Sequence, residues 1–377
     1  MQTMMPTKPT ETRKTMRINN LPPQNSNSNI LQRRLHILLC YTKASEQDSG
    51  WILAGRMKES LGKALEEEPI LAGRLRRLSE ESDGGGGGDF EIVSNDAGVR
   101  TVEVKADHVK LAEFVDELKA NKREAHELVY WEDIVQHNPQ FSPLIYIQVT
   151  NFTCGGYSIG ITSSLLLVDP FTFSNFLKKW CKIHKTIFSR TNTSKIPYLY
   201  FPNYASSPND YRLIMGSNYK TCKNNTNASA QSVILTVPKN ILHNNHKNLA
   251  ALCIEEAERK TGSKMASSLS LLLHKLPCEE EDTYYNKVEM CSRKGLLEGL
   301  LVSENEISGL INTNCAIRTW DELGLDSLCF DEGNKADYVS CWISSSPAVS
   351  DEGSVMIISP SGDDTDTFGI KVVVTFD

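Results

Sequence analysis

The sequence predicts a mixed α/β protein built as two domains, each a sheet flanked by helices. Three observations carry this. Residues 142–180 pass from the two-residue alternation of strands to the spacing of a helix. A chain of 377 residues exceeds what one ordinary core organises. Over 189–230 the periodicity stops and Ser, Thr, Asn and Pro dominate, as in a linker between two halves. The expected division is therefore a disordered tail over 1–28, a first domain over 29–188, the linker 189–230, and a second domain over 231–377.

The composition, 40% hydrophobic and 23% charged, is that of a globular protein. A net charge of −7 gives no basic surface for nucleic acid. The apolar runs fall far short of a membrane span. The first twenty residues lack the apolar stretch of a secretory signal and read as a simple tail rather than a transit peptide. The ten cysteines (40, 154, 181, 222, 253, 278, 291, 315, 329 and 341) form no CxxC and no zinc spacing with histidine. They are read as reduced cytoplasmic thiols, and no metal is expected. Glycosylation sequons at Asn151, Asn192, Asn224 and Asn227 carry no meaning without secretion.

In chain order, 35–41 reads as a buried strand and 51–65 as an amphipathic helix, with Ile52, Met57, Leu61 and Leu65 on one face. Residues 69–75 read as a helix-to-strand turn in which Gly73 allows a close approach. The glycine run 84–88 reads as a flexible loop tip, because it lacks the Lys-Ser/Thr and helix start of a phosphate loop. A strand over 101–105 and an exposed, charge-rich helix over 109–119 follow. In 142–180, Ile145, Ile147 and Val149 alternate with Tyr146, Gln148 and Thr150, as in a half-buried strand. Gly155 and Gly156 can take positive φ and close a hairpin. Ile159 and Ile161 continue the return strand, and Asp169-Pro170 stops it. Phe173, Phe176, Leu177, Trp180 and Cys181 then share a helical face that runs on to about 188. Beyond the linker, strands are expected over 233–237, 267–276, 353–358 and 368–376, with helices over 248–260 and over 296–323, the latter broken near Asn312 to Asn314. The stretches 238–247 and 279–282 read as polar and acidic loops.

The 142–180 stretch resembles the centre of the plant BAHD acyltransferases, a CoA-dependent family with an HxxxD signature. There a CGG hairpin leads to a strand, then to HxxxD, then to a helix ending in Trp. Cys154, Gly155 and Gly156, then Ile159-Gly160, Asp169, Phe176-Leu177 and Trp180 stand in those places, and 69–75 resembles the family's PLAGRL. The resemblance implies a two-domain CoA-dependent acyltransferase-like fold, with mixed sheets, flanking helices and a central groove. The residue at the histidine position is Leu165. In the family that histidine is the general base for the acceptor hydroxyl or amine; leucine has no titratable group. The family's aspartate is structural, so Asp169 can persist without chemistry. The reading preferred here is a strand end buried by Leu165, Leu166, Leu167 and Val168, with no catalytic residue intact. Cys154, in the glycine turn, is read as a packing residue because no histidine lies near it.

The family's DFGWG is represented at best by Asp331-Glu332-Gly333-Asn334-Lys335, which keeps Asp331 and Gly333 and loses the aromatic pair. The eceriferum/glossy-type proteins of wax synthesis are the most similar branch in appearance, through SPLIYIQVTNFTCGG and the Asp-Pro-Phe after the motif. That branch helps condensing enzymes extend very-long-chain fatty acids. Three readings follow. The chain is an accessory BAHD-fold protein acting on a fatty-acid elongase condensing enzyme or a bound acyl-CoA; or an active acyltransferase with a non-standard base; or a degenerate paralogue. No cofactor is expected beyond acyl-CoA as ligand or substrate. The chain is expected to be a monomer in the cytoplasm, including the endoplasmic reticulum surface. Among candidates to replace the base, His184 lies fifteen residues beyond Asp169, roughly 20 Å away by helical rise. His126, His137 and His274 qualify only if folding carries them to Leu165.

Overall fold

The computed structural model describes residues 1–22, 28, 30–45, 48–78, 90–188, 231–237, 246–277, 284–299, 316–331, 333–344, 352–359 and 369–376. The expectations for the linker, the glycine run, the acidic loop and Glu332 lie outside these residues. The strands are β1 (Gln2–Met4), β2 (Thr15–Asn19), β3 (Arg34–Tyr41), β4 (Arg74–Arg77), β5 (Phe90–Val93), β6 (Val99–Ala106), β7 (Ile145–Phe152), β8 (Tyr157–Ser164), β9 (Gln231–Val237), β10 (Ser268–Pro277), β11 (Tyr284–Ser292), β12 (Ala316–Arg318), β13 (Tyr338–Ser344), β14 (Glu352–Ile358) and β15 (Ile370–Phe376). The helices are α1 (Gly50–Glu67), α2 (Leu111–Lys119), α3 (Pro170–Phe188), α4 (His246–Thr261) and α5 (Arg293–Glu298).

The strands form two mixed sheets, ordered β1-β6-β7-β8-β3-β13 and β12-β9-β15-β14-β10-β11-β2-β5-β4. The sheets do not follow the division at 189–230. β13 crosses back to pair with β3, Tyr338 opposite Cys40 through Ser344 opposite Arg34. In the other direction, β2 joins the second sheet beside β11 and carries β5 and β4 with it. The expected disordered tail thus contains two strands, β1 against β6 and β2 between β11 and β5. Their short, polar sequences gain order from backbone pairing rather than from an apolar run.

β3, β7 and β8 are buried along their whole length. Their two faces enter different clusters: Leu35, Ile37, Leu39 and Tyr41 of β3 join the core beneath α1 and α3, while Leu38 and Cys40 pack with Phe114, Leu118 and Phe152 around α2. Burial on both faces explains the continuous apolar run of β3. It also corrects the half-buried reading of 145–150, since Tyr146 sits under Tyr130 and Val102. α2 is likewise not an exposed helix: it buries Leu111, Phe114, Val115 and Leu118 and keeps its charges on the other side.

Of the helix expected over 296–323, residues 300–315 lie outside the described residues. In the described parts α5 ends at Glu298, β12 pairs with β9 at the sheet edge, and a 3₁₀ turn follows at Trp320–Leu323. The glycines in the two signature stretches have steric reasons. A Cβ on Gly73 would stand 2.5 Å from the Val93 carbonyl oxygen, and one on Gly160 would stand 2.0 Å from that of Leu128. Gly160→Ala is therefore expected to lose about 1–3 kcal/mol, read as a lower denaturant midpoint at unchanged slope.

Candidate functional site

β8 ends at Ser164, and the chain turns through 165–169 before α3 begins at Pro170. The Leu165 amide donates to the Arg33 carbonyl at 3.1 Å, and Leu165 is only 1% exposed. Leu166, Leu167 and Val168 are buried beside it. Residues 165–168 thus form an apolar plug in the core beneath α1 and α3.

Asp169 caps the helix. Its Oδ1 accepts from the amides of Phe171 (3.0 Å) and Thr172 (2.9 Å), and its Oδ2 accepts from the Thr172 hydroxyl (2.6 Å). Its carbonyl accepts from the Phe173 amide at 2.9 Å, and Pro170, which has no N–H, opens the helix. Lys275 Nζ lies 3.5 Å from Oδ2 and donates to the Thr172 hydroxyl at 2.6 Å. Burial pushes the Asp169 carboxyl up, but Lys275, His274 and the Thr172 hydrogen bonds outweigh it, so the acid is stronger than an ordinary aspartate.

Lys275 reaches this turn because β10 is bulged. Leu273 faces Lys287 and Leu276 faces Tyr285, so β10 carries one residue more than β11. Lys275 takes the extra position with φ +58, a left-handed conformation uncommon for a side-chain-bearing residue. Asn286 holds the bulge: its Oδ1 accepts from the Lys275 amide at 3.2 Å, and its Nδ2 donates to the Leu166 carbonyl at 3.1 Å. Beside Lys275 in the bulge is His274, whose imidazole lies against the Leu165 backbone. His274 is 2% exposed; burial first, then Lys275, push it down to about 4 against the opposing Asp169 carboxylate and Leu165 carbonyl. Its Nε2 has no hydrogen-bond partner.

Of the four histidines weighed from sequence, folding brings one, His274, to Leu165. It arrives buried. His184 Nδ1 instead shares a hydrogen bond with the Ser60 hydroxyl (2.8 Å), with the Phe330 ring edge-on at 5.6 Å; burial and Arg56 push it down to about 3. His126 pairs with Glu124 at 2.6 Å, and His137 is exposed. Lys275 and Asn286 escaped the sequence reading; the left-handed position of the bulge carries no glycine to mark it.

The remaining signature residues lie at turns and in packed or hydrogen-bonded positions. Gly155 takes φ +82 at the hairpin turn, whereas Gly156 is needed for space, since a Cβ would meet Leu111 at 2.9 Å. Cys154 is exposed, and its sulfur accepts from the Leu111 amide at 3.5 Å. Gly333 takes φ +82. Next to it Asn334 donates to Asp48 (2.6 Å) and to the Thr42 carbonyl (3.0 Å), while Asp48 also accepts from the Tyr157 hydroxyl at 3.0 Å. Phe330 stands edge-on to Trp180 at 4.6 Å, and Trp180 donates to Ser60 at 3.1 Å. Asp331 joins Asp48, Arg56, Tyr157 and His184 around a cavity of about 20 Å³, room for one water. Asn334 is thus seated by polar contacts. Among the described residues no cluster could hold a metal, and no helix is long and apolar enough to cross a membrane.

The profile of the Transferase family matches residues 1–268. Similar curated proteins come from Arabidopsis thaliana. Protein ECERIFERUM 26-like is 32% identical over 126 residues, covering 33% of this chain and 27% of that protein. Protein ECERIFERUM 2 is 27% identical over 119 residues, covering 32% and 28%. Brassinosteroid-related acyltransferase 1 is 36% identical over 114 residues, covering 29% and 24%. The matched stretches therefore span about a quarter of each relative's length.

Proposed function

The chain belongs to the Transferase family, the BAHD acyltransferases, and on that premise we propose that it has lost the family's chemistry and acts as an accessory protein in very-long-chain fatty acid or wax elongation. The observation that carries this reading is the buried Leu165 at the base position. An apolar side chain there can neither take a proton from an acceptor nor orient one. Asp169 does not substitute for it, because both its oxygens are engaged in capping α3 and pairing with Lys275. The eceriferum-named relatives agree with the branch that the 142–180 stretch resembles, and on that resemblance the proposed partner is an elongase condensing enzyme, with acyl-CoA as a ligand. The proposed place of action is the cytoplasm, including the endoplasmic reticulum surface.

A second reading, an active acyltransferase with a base supplied from elsewhere, is favoured by one observation, the imidazole of His274 beside Leu165. Against it stand the burial of that ring and its lowered basicity. Mass spectrometry of thioesters and lipids from cells with and without the protein separates the two. The accessory reading expects longer fatty-acyl chains and no new ester or amide. A new acylated product at unchanged chain length would contradict it.

A further inference from the structure

We propose that the outward face of α3 is a docking surface for anionic lipid headgroups, formed by Lys178, Lys182 and Lys185. The exposed residues of α3 are Asn175, Lys178, Lys182, Lys185 and Thr186. Steps of four and three residues bring the three lysines onto one side of the helix, in a row about 10 Å long by helical rise. Among the described residues no carboxylate pairs with any of the three. The fourth lysine of the helix, Lys179, is held by Glu67 at 2.7 Å and by Glu68 at 3.5 Å.

The row differs from an ordinary solvated face. The chain carries a net charge of −7, and α1, α2 and α4 each mix acids with bases. α3 carries four lysines in 19 residues and no acid. Like charges at these spacings repel one another along the helix, and an anionic surface that meets all three relieves that repulsion. Only charges within a screening length of about 8 Å act on such a surface, so the local row counts and distant acids do not. At one end acids come close. The Lys178 ammonium lies beside Gly324, and Asp321 and Asp326 border that glycine in the chain. Lys182 and Lys185 are therefore the stronger part of the row.

The chemistry of the face selects lipid over protein. A stable protein interface is built around a packed apolar or aromatic centre, and the exposed residues of α3 supply none. Lysine is a compact, strongly hydrated charge suited to a diffuse field, whereas planar arginine suits paired recognition of carboxylates. Phosphatidylserine and phosphatidylinositol headgroups provide such a field, and each lysine near it strengthens binding roughly fivefold. Without an apolar anchor the contact is electrostatic and reversible, with no insertion of the helix. The proposal stands on these charges and does not depend on the loss of chemistry at Leu165.

The test is co-sedimentation of the full chain with vesicles of phosphatidylcholine alone, or of phosphatidylcholine mixed with phosphatidylserine or phosphatidylinositol. The proposal expects binding to the anionic vesicles only, lost at about 1 M salt, where the screening length is about 3 Å. Lys182→Ala and Lys185→Ala should each weaken it about fivefold, and Lys178→Ala by less. All three together should weaken it roughly fiftyfold, with the thermal midpoint held. Replacing the three by arginine should preserve binding. Equal binding to neutral vesicles would overturn the proposal, as would a triple alanine variant that binds like the wild type. So would an equal loss when three exposed lysines elsewhere, Lys122, Lys260 and Lys264, are replaced instead. Anionic vesicles left unbound would overturn it too, and binding of polyglutamate in their place would give the face to an acidic protein.

Discussion

Asp169→Ala is expected to lose about 3 kcal/mol of stability, the lower end of what breaking a buried ion pair costs, because partly exposed Lys275 can turn to water. The substitution removes the side-chain cap on the first α3 amides, those of Phe171 and Thr172, beside the apolar plug. The sign of the pH dependence follows from the same contacts. The folded Asp169 carboxyl titrates below its unfolded value, so its contribution is present above pH about 4 and lost as pH falls through the folded value. His274 and His184 act in the same direction at higher pH. Unfolded, their imidazoles take a proton near 6.5; folded, they resist it down to about 4 and about 3. Stability therefore falls as pH drops from about 6.5, by roughly 3 kcal/mol for each buried ring. Denaturant midpoints taken from neutral pH to about 4.5 should decline steadily in the wild type. A flat profile would contradict the buried, neutral state of both rings.

Leu165→His is expected to raise acyl-CoA turnover about a hundredfold or more, the usual contribution of a general base. The restored imidazole would stand at the end of β8, immediately before the cap that orients α3, where the family pattern places it. Asp169, Gly155, Gly156, Gly160 and Gly73 keep the backbone of both signature stretches in place around it. Leu165→Gln, similar in size but without a titratable group, is the control and should remain silent. Equal gains from both would point to loosened packing rather than a restored base.

Much of the fold was legible in the sequence because its elements announce themselves by periodicity. The β7–β8 hairpin, α1, α3, α4 and β14 follow from apolar spacing and from glycine or proline at their ends. Which sheet a strand joins was not legible. Nothing in the sequence of β13 says that it pairs with β3, more than three hundred residues' separation from its first partner strand being bridged only in the folded chain. β1 and β2 are too short and polar to show a pattern and are ordered by their neighbours. For the site, Leu165 and Asp169 could be read from the signature alone. The approach of His274 could not, because it depends on one extra residue in β10 and on Lys275 adopting a left-handed backbone without glycine. The Asn334–Asp48 hydrogen bond could not be read from the sequence, because its partners lie far apart in the chain.

The central claim is that this chain does not transfer acyl groups by the mechanism of its family. It is tested most directly by the steady-state release of free CoA from a panel of acyl-CoA thioesters, with hydroxyl and amine acceptors, by purified wild-type protein. The account predicts release no faster than with Asp169→Ala or with no protein. Release at an ordinary enzymatic rate that Asp169→Ala abolishes, while the variant remains folded, would contradict it.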